Sequence, residues 1–170
     1  MLFGIIFSFQ WFFLISSVCA ETFVSQVKAA FVLKIIDFVK WPDKENTTFM
    51  VSVLGDEELF ESFKRLGVNK AKGKSLVLKR YNLNDIGGEK FDVFFISKLK
   101  RQKLSDILAQ FENTSVLLIG DDPSFAQMGG MDSIVESKGK LGMEINLRQV
   151  KKAGLKISSR LLRLAKIVDN

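Results

Sequence analysis

Four short apolar runs, separated by turns and by segments of helical pattern, limit what this chain can fold into. In these runs apolar residues follow one another almost without a break, as they do in strands that are covered on both faces. Strands of this kind that alternate with helices are typical of a mostly parallel sheet. The sequence therefore predicts an α/β fold: a single, Rossmann-like domain with a mostly parallel sheet flanked by helices. The predicted strands are residues 49–54, 75–81, 91–97 and 115–119.

Helical patterns lie before and between these strands. Trp41-Pro42 follows the first of them. Because a proline disfavours helix at the residue before it, we expect the first helix to end at Lys40. The second is expected to end near Gly67, since glycine commonly follows the last turn of a helix. The predicted helices are residues 24–40, 57–66 and 98–111.

The C-terminal part of the chain departs from this alternation. Residues 131–136 and 140–147 flank a Ser-Lys-Gly turn, which predicts an antiparallel hairpin on the edge of the sheet. A short helix is expected over residues 147–153. A last helix is predicted to begin at Ser158 or Ser159, either of which can act as its N-cap. The apolar stripe of this last helix, predicted to pack on the sheet, is Leu161, Leu164, Ala165 and Val168.

Residues 1–20 are predicted to be a secretory signal peptide. Residues 2–15 are almost continuously apolar and carry no charge, and Val18 and Ala20 are small enough for the two pocket positions before a signal-peptidase cut. We therefore expect cleavage after Ala20 and a mature exported domain over residues 21–170. The alternative is an uncleaved membrane anchor, although the run is shorter than the roughly 20 apolar residues that a spanning helix needs.

The composition narrows the chemistry of the mature domain. The chain has no histidine, and its single cysteine, Cys19, lies in the predicted signal peptide. The mature domain is therefore expected to have no disulfide, no histidine-based proton transfer and no ordinary Cys/His metal site. The net charge of +6 comes from 25 basic and 19 acidic residues that are interspersed. A solvated, mildly basic surface explains this charge, so we predict no nucleic-acid partner. Because the mature domain has no histidine and no cysteine, we also predict no enzyme activity, no cofactor and no metal; a Lys-based or carboxylate-based hydrolase is the third hypothesis, with no feature that points to it.

Two Gly-Asp sequences follow predicted strands, where α/β folds place ligands. The carboxylates of Asp121 and Asp122 could hold Mg²⁺. However, Gly-Asp-Asp-Pro is also a common turn in which an aspartate caps the next helix, and we favour the turn. Gly55-Asp56 has the same two interpretations. Neither strand is followed by a GxGxxG or Walker pattern, so a nucleotide site has no support from a motif.

Four residues are candidates for a partner-binding or ligand-binding surface, because packing alone does not require their polar or aromatic groups: Lys28, Trp41, Glu144 and Asn146. Lys28 falls among apolar residues on a helical wheel, so its ammonium must reach solvent, pair with a carboxylate or meet an anionic partner. Glu144 is a candidate ion-pair partner for Lys28 or Arg148. Trp41 is either an exposed interface anchor or a lid over the edge of the core.

Four segments, taken in series, resemble the YfiR family of periplasmic proteins. Each alone is a weak signal, because any of them could be a packing pattern, but their order and spacing together are specific. They span nearly the whole predicted mature chain. The segments are KAAFVLKIIDFVKWP (28–42), VSVLGDE (51–57), FAQMGGMDSIVESKGKLGMEIN (125–146) and AGLKISSRLLRLAKIV (153–168).

The resemblance implies an α/β fold and a regulatory, non-catalytic role. The best-known members bind the periplasmic sensor domain of YfiN, an inner-membrane diguanylate cyclase, and hold cyclic-di-GMP synthesis down. The outer-membrane lipoprotein YfiB sequesters them, and biofilm formation then rises. The implied partner is thus the sensor domain of a membrane-bound diguanylate cyclase or histidine kinase, with a YfiB-type lipoprotein and a homodimer as further possible assemblies.

This chain departs from the best-known members in one respect. They carry disulfides tied to redox sensing, whereas the predicted mature chain has no cysteine. Redox control through its own thiols is therefore not expected. The alternative function is a periplasmic small-molecule binding module that uses the crevice at the strand ends. The two functions are compatible, because a ligand could set the affinity for a partner.

Overall fold

The computed structural model of the chain describes residues 10–42, 46–86, 90–97, 101–137 and 139–168. The helices in these ranges are α1 (Gln10–Asp37), α2 (Glu57–Arg65), α3 (Arg101–Gln110), α4 (Leu147–Lys152) and α5 (Ser159–Leu162). The strands are β1 (Val39–Lys40), β2 (Thr48–Leu54), β3 (Lys70–Ala71), β4 (Lys74–Tyr81), β5 (Val93–Ile96), β6 (Leu117–Gly120), β7 (Asp132–Ser137), β8 (Lys140–Asn146), β9 (Lys156–Ile157) and β10 (Lys166–Val168).

Eight of the strands form one sheet, in the order β10-β8-β7-β6-β5-β2-β4-β3. Neighbouring strands from β4 across to β7 are parallel, β8 is antiparallel to β7, and β10 is parallel to β8. From β2 the chain passes to β4 on one side and then returns to β5 on the other side of β2. The predicted fold class is confirmed: one α/β domain with a mostly parallel sheet, flanking helices and an antiparallel hairpin, β7–β8, towards one edge.

Burial on both faces explains the continuous apolar runs. All four residues of β5 and all four of β6 are buried, so neither face of these strands reaches solvent. Phe94 of β5 meets Phe91 edge to face with ring centroids 5.0 Å apart, and the Phe111 ring lies 4.9 Å from Phe94. Each fully buried phenylalanine contributes about 2–3 kcal/mol through the hydrophobic effect. Polar side chains are therefore confined mainly to the ends of these strands.

Phe125 shapes the turn that follows β6. Its ring lies so close to Gly120 and Gly130 that a Cβ added at Gly120 would come within 2.5 Å of the ring, and one at Gly130 within 2.1 Å. No side chain fits at either glycine unless Phe125 moves. This close approach packs the segment between β6 and β7 against the end of the sheet.

The first helix ends earlier than predicted. The sequence predicted a helix over residues 24–40, but α1 begins at Gln10, within the predicted signal peptide, and ends at Asp37. Val39 and Lys40 form β1, which pairs antiparallel with β9 so that Val39 lies opposite Ile157. The helix therefore ends several residues before Pro42, where the chain pairs with a distant segment. The local sequence pattern does not indicate this pairing.

The last predicted helix is wrong beyond its first turn. It was expected to carry Leu164 and Val168 on its buried stripe, but α5 ends at Leu162 and the chain then forms β10. Strand β10 extends the sheet by pairing with β8, with Ile167 opposite Ile145. The cross-strand pairs formed with β8 override the helical spacing, because sheet partners are set by tertiary contacts. Leu164 is left 75% exposed instead of packing on the sheet.

The predicted signal peptide, residues 1–20, lies in part outside the described residues, and the predicted cleavage position after Ala20 falls within α1. Across the described ranges, no helix is both long enough and apolar enough to cross a membrane.

Candidate functional site

A polar network occupies the end of the sheet where β2, β5 and β6 finish. Asp56, Ser97 and Asp121 each lie just beyond the end of one of these strands. Lys28 reaches this network from α1 and donates from Nζ to Asp121 Oδ2 at 2.9 Å. The Ser97 hydroxyl lies 3.1 Å from Asp121 Oδ2 and 3.3 Å from Asp56 Oδ2. Because a hydroxyl carries one proton, Ser97 can donate fully to only one of the two carboxylates at a time.

The network lies where the strand order changes direction, between β2 and β5. Open α/β sheets place ligands in the crevice at such a point. Here the crevice is occupied by an internal ion pair: the side chain of Lys28 is 14% exposed and that of Asp121 is 3% exposed. A partly buried pair of this kind is costly to break, since removing one partner leaves the other charge uncompensated. Of the three environments considered for Lys28, the structure gives pairing with a carboxylate.

Both Gly-Asp sequences form turns, but only the first caps a helix, because no helix lies between β6 and β7. Asp56 Oδ1 accepts a hydrogen bond from the Leu59 backbone N–H at 2.8 Å and so caps α2. Asp122 Oδ1 accepts from the backbone N–H and the hydroxyl of Ser124, at 2.7 and 2.6 Å. Carboxylates used in this way hold the turn geometry. Within the described part of the chain, no group of three or more acidic, cysteine or histidine side chains is placed to hold a metal ion.

Lys28 and Arg148 are the two ion-pair partners predicted for Glu144, and the pairing with Lys28 is wrong, since Lys28 pairs with Asp121. Glu144 Oε1 instead accepts from Lys166 Nζ at 2.7 Å, and Glu144 Oε2 lies 3.5 Å from Gln127 Nε2. Lys166 and Glu144 are also register partners in the β8–β10 pairing. The Glu144 side chain is 13% exposed and that of Lys166 is 67% exposed, so this pair lies at the surface.

Asn146 has a role inside the fold. It is completely buried, its Nδ2 donates to the Ala126 carbonyl at 2.9 Å, and its Oδ1 accepts from the Gln149 N–H at 3.1 Å. The side chain therefore caps α4 and ties it to the segment after β6. In this structure its amide is inaccessible to a partner.

Trp41 lies as a lid over the edge of the core. Its ring meets Phe49 edge to face at 5.0 Å, and its Nε1 donates to the Asp92 carbonyl at 3.1 Å. The Lys72 ammonium lies 5.9 Å from the centre of the Trp41 ring. Burial lowers the pKa of Lys72, while Asp37 raises it and Lys40 lowers it further. Trp41 therefore contacts both the core and a partly exposed cation.

The sequence analysis missed Asp132, the first residue of β7. Its side chain is buried, and neither carboxylate oxygen has a hydrogen-bond partner among the described residues. Its register partners are Ile119 on β6 and Ile145 on β8, both fully buried. Burial raises the pKa of Asp132 to about 7. The signal in the sequence was an aspartate at an inward position of a strand, two residues before Ile134.

At the carboxyl ends of β2, β5 and β6, polar side chains of an α/β sheet of this strand order contact one another. The polar groups at the strand ends hold turns and an ion pair.

The chain belongs to the YfiR/HmsC-like family, whose model matches residues 25–166. The match covers most of the chain and confirms the resemblance drawn from its four segments. The family consists of periplasmic regulators that act in cyclic-di-GMP signalling. No curated protein matches this chain at a significant level.

Proposed function

We propose that this protein is exported through a cleaved signal peptide and binds the extracytoplasmic sensor domain of an inner-membrane diguanylate cyclase, holding cyclic-di-GMP synthesis down. The observation that carries the proposal is the family match over residues 25–166. The polar network supports it, because Lys28, Ser97, Asp121 and Asp56 engage one another inside the fold. A chain built in this way acts by presenting a surface to a partner.

Two of the four candidate residues reach the proposed partner surface. Glu144 and its partner Lys166 lie at the surface of β8 and β10, and Trp41 is partly exposed beside Lys72. Asn146 and Lys28 lie below this surface. Asn146 caps α4 and bonds the segment after β6, and Lys28 forms an ion pair with Asp121 in the turn after β6. We therefore propose Glu144 and Trp41 as contact residues, and Lys28 and Asn146 as residues that keep the surface in shape.

A deletion strain tests the proposal. Loss of a repressor should raise cyclic-di-GMP and surface attachment, and the wild-type gene supplied in trans should restore both. Cross-linking in whole cells, followed by detergent extraction, should recover a membrane diguanylate cyclase. Recovery of a histidine kinase would change the identity of the partner. Unchanged cyclic-di-GMP together with no membrane partner would refute the regulator.

Two further assemblies belong to the proposal. An outer-membrane lipoprotein of the YfiB type would relieve repression by sequestering this protein, and a homodimer would present two copies of the surface. Redox control through this chain's own thiols has no place in this scheme, since Cys19 lies within the segment proposed to be removed. Sedimentation of the exported protein, alone and with a purified lipoprotein of that type, measures both assemblies.

The alternative is a small-molecule binding module, and one observation favours it. A cavity of about 290 Å³ lies between α3 and α4, with Leu118, Met128 and Met131 among its apolar residues and Gln149 and Lys152 among its polar ones. A partly apolar cavity with a few polar groups is the usual form of a ligand site. A metabolite that co-purifies with the protein, in the absence of a protein partner, would favour this function.

A further inference from the structure

The two edges of the main sheet are built differently. At one edge, β3 has only two residues and turns back on β4 through Lys72 and Gly73, both with positive φ. Lysines at positions 70, 72 and 74 surround this edge. A very short edge strand surrounded by lysines resists the addition of another strand.

The other edge, β10, is also short, at three residues, but its one lysine, Lys166, is paired with Glu144. Among the described strands β10 pairs only with β8, so no described strand covers its outer side. Leu164, just before β10, is 75% exposed, and Ile167 within it is 38% exposed. An open edge strand with exposed apolar side chains can accept an added strand through its backbone N–H and C=O groups.

The charges around β10 indicate the charge of a strand that could pair with this edge. The segment from residue 155 to residue 168 contains four basic residues and no acidic residue. Lys166 is neutralised by Glu144, but the exposed Arg160 and Arg163 have no ion-pair partner among the residues that the structure describes. Like charges that remain uncompensated at an open edge favour an acidic partner.

We propose that the β10 edge is a docking surface for an extended segment of a partner protein in which acidic and apolar residues alternate. The segment pairs with the backbone of β10, its apolar side chains cover Leu164 and Ile167, and its carboxylates meet Arg160 and Arg163. A second copy of this chain fits poorly, because it would bring two sets of arginines together. This inference deepens the proposed function and rests on it only for the identity of the partner.

The test uses the exported protein and a fluorescent peptide with blocked termini in which glutamate and valine alternate. The peptide is about eight residues long, which is a typical length for a strand. The peptide should bind, and hydrogen exchange at the β10 amides should slow when it does. Arg163→Glu should weaken binding by about tenfold at low ionic strength, since it replaces an attraction by a repulsion. Lys103→Glu makes the same change of charge on an exposed position of α3 and should leave binding unchanged.

Three outcomes would overturn the proposal. They are equal binding of a peptide that alternates lysine and valine, binding without protection of the β10 amides, and self-association of the protein through β10. The deletion strain separates this proposal from the function on which it rests. If the deletion raises cyclic-di-GMP but a gene carrying Arg163→Glu restores it fully, the regulator stands and the docking surface is wrong.

Discussion

Asp132 should make the stability of this protein fall as the pH rises. Burial raises its pKa from 3.8 to about 7. Below pH 3.8 the carboxyl is protonated in both the folded and the unfolded chain, and it has no effect on stability. Between these two pKa values only the unfolded chain loses the proton, so the free energy of unfolding decreases with pH. Above pH 7 the full effect is present.

The size of this effect follows from the difference between the two pKa values. Each unit corresponds to 1.36 kcal/mol, so ionised Asp132 destabilises the folded protein by roughly 4 kcal/mol at high pH. Asp132→Asn removes the ionisation and keeps the size of the side chain. At pH 8 this variant should melt about 10 °C above the wild type, whereas at pH 4 the two melting temperatures should be close.

Thermal melts of the wild type and the variant between pH 4 and pH 8 measure this difference directly. Asp106→Asn, which removes a carboxylate from an exposed position of α3, is the matched control and should shift the melt little at any pH. A difference between Asp132→Asn and the wild type that stays constant across the range would refute the reasoning. It would mean that Asp132 finds a partner that stabilises its charge.

Three other predictions concern the core, the ion pair and the N-terminus. Gly120→Ala should destabilise the fold by about 1–3 kcal/mol because its Cβ would overlap the Phe125 ring, whereas Gly142→Ala, with 3.6 Å to the nearest atom, should melt almost as the wild type does. Lys28→Ala should cost about 3 kcal/mol, and addition of Asp121→Asn should recover part of the loss; an unchanged melt with lost partner binding would instead make Lys28 a contact residue. N-terminal sequencing of the periplasmic protein should begin at Glu21, and retention of residues 1–20 or lipid on Cys19 would contradict the predicted cleavage.

The central parallel strands could be predicted because strands that are buried on both faces have nearly continuous apolar sequences. The runs that became β2, β5 and β6 are apolar along most of their length, whereas β4 is half polar and was predicted from its three consecutive apolar residues, 76–78. The end of α1 and strand β10 could not be predicted in this way. Each depends on a partner strand far along the chain, and the spacing of Leu161, Leu164 and Val168 fits a helix as well as any helix in the sequence does.

The sequence predicted several residues of the candidate site, but it did not predict which atoms they contact. The conflict of a lysine among apolar neighbours pointed to Lys28, but its partner, Asp121, lies 93 residues away. The sequence pattern gives no packing role to the polar group of Asn146, whereas in the structure this group caps α4. Asp132 could not be predicted as a buried residue, because a single aspartate among apolar residues also fits a strand in which buried and exposed positions alternate.

The β1–β9 ladder has a consequence for when this protein can fold. Its two strands are separated by more than a hundred residues, yet they hold the end of α1 against the segment before α5. Closing so long a loop is slow, because chain entropy must be lost before the contact forms. The ladder cannot form until residue 157 is available. The pairing that fixes the end of α1 is therefore expected to form late in folding, after the local contacts of α1 itself.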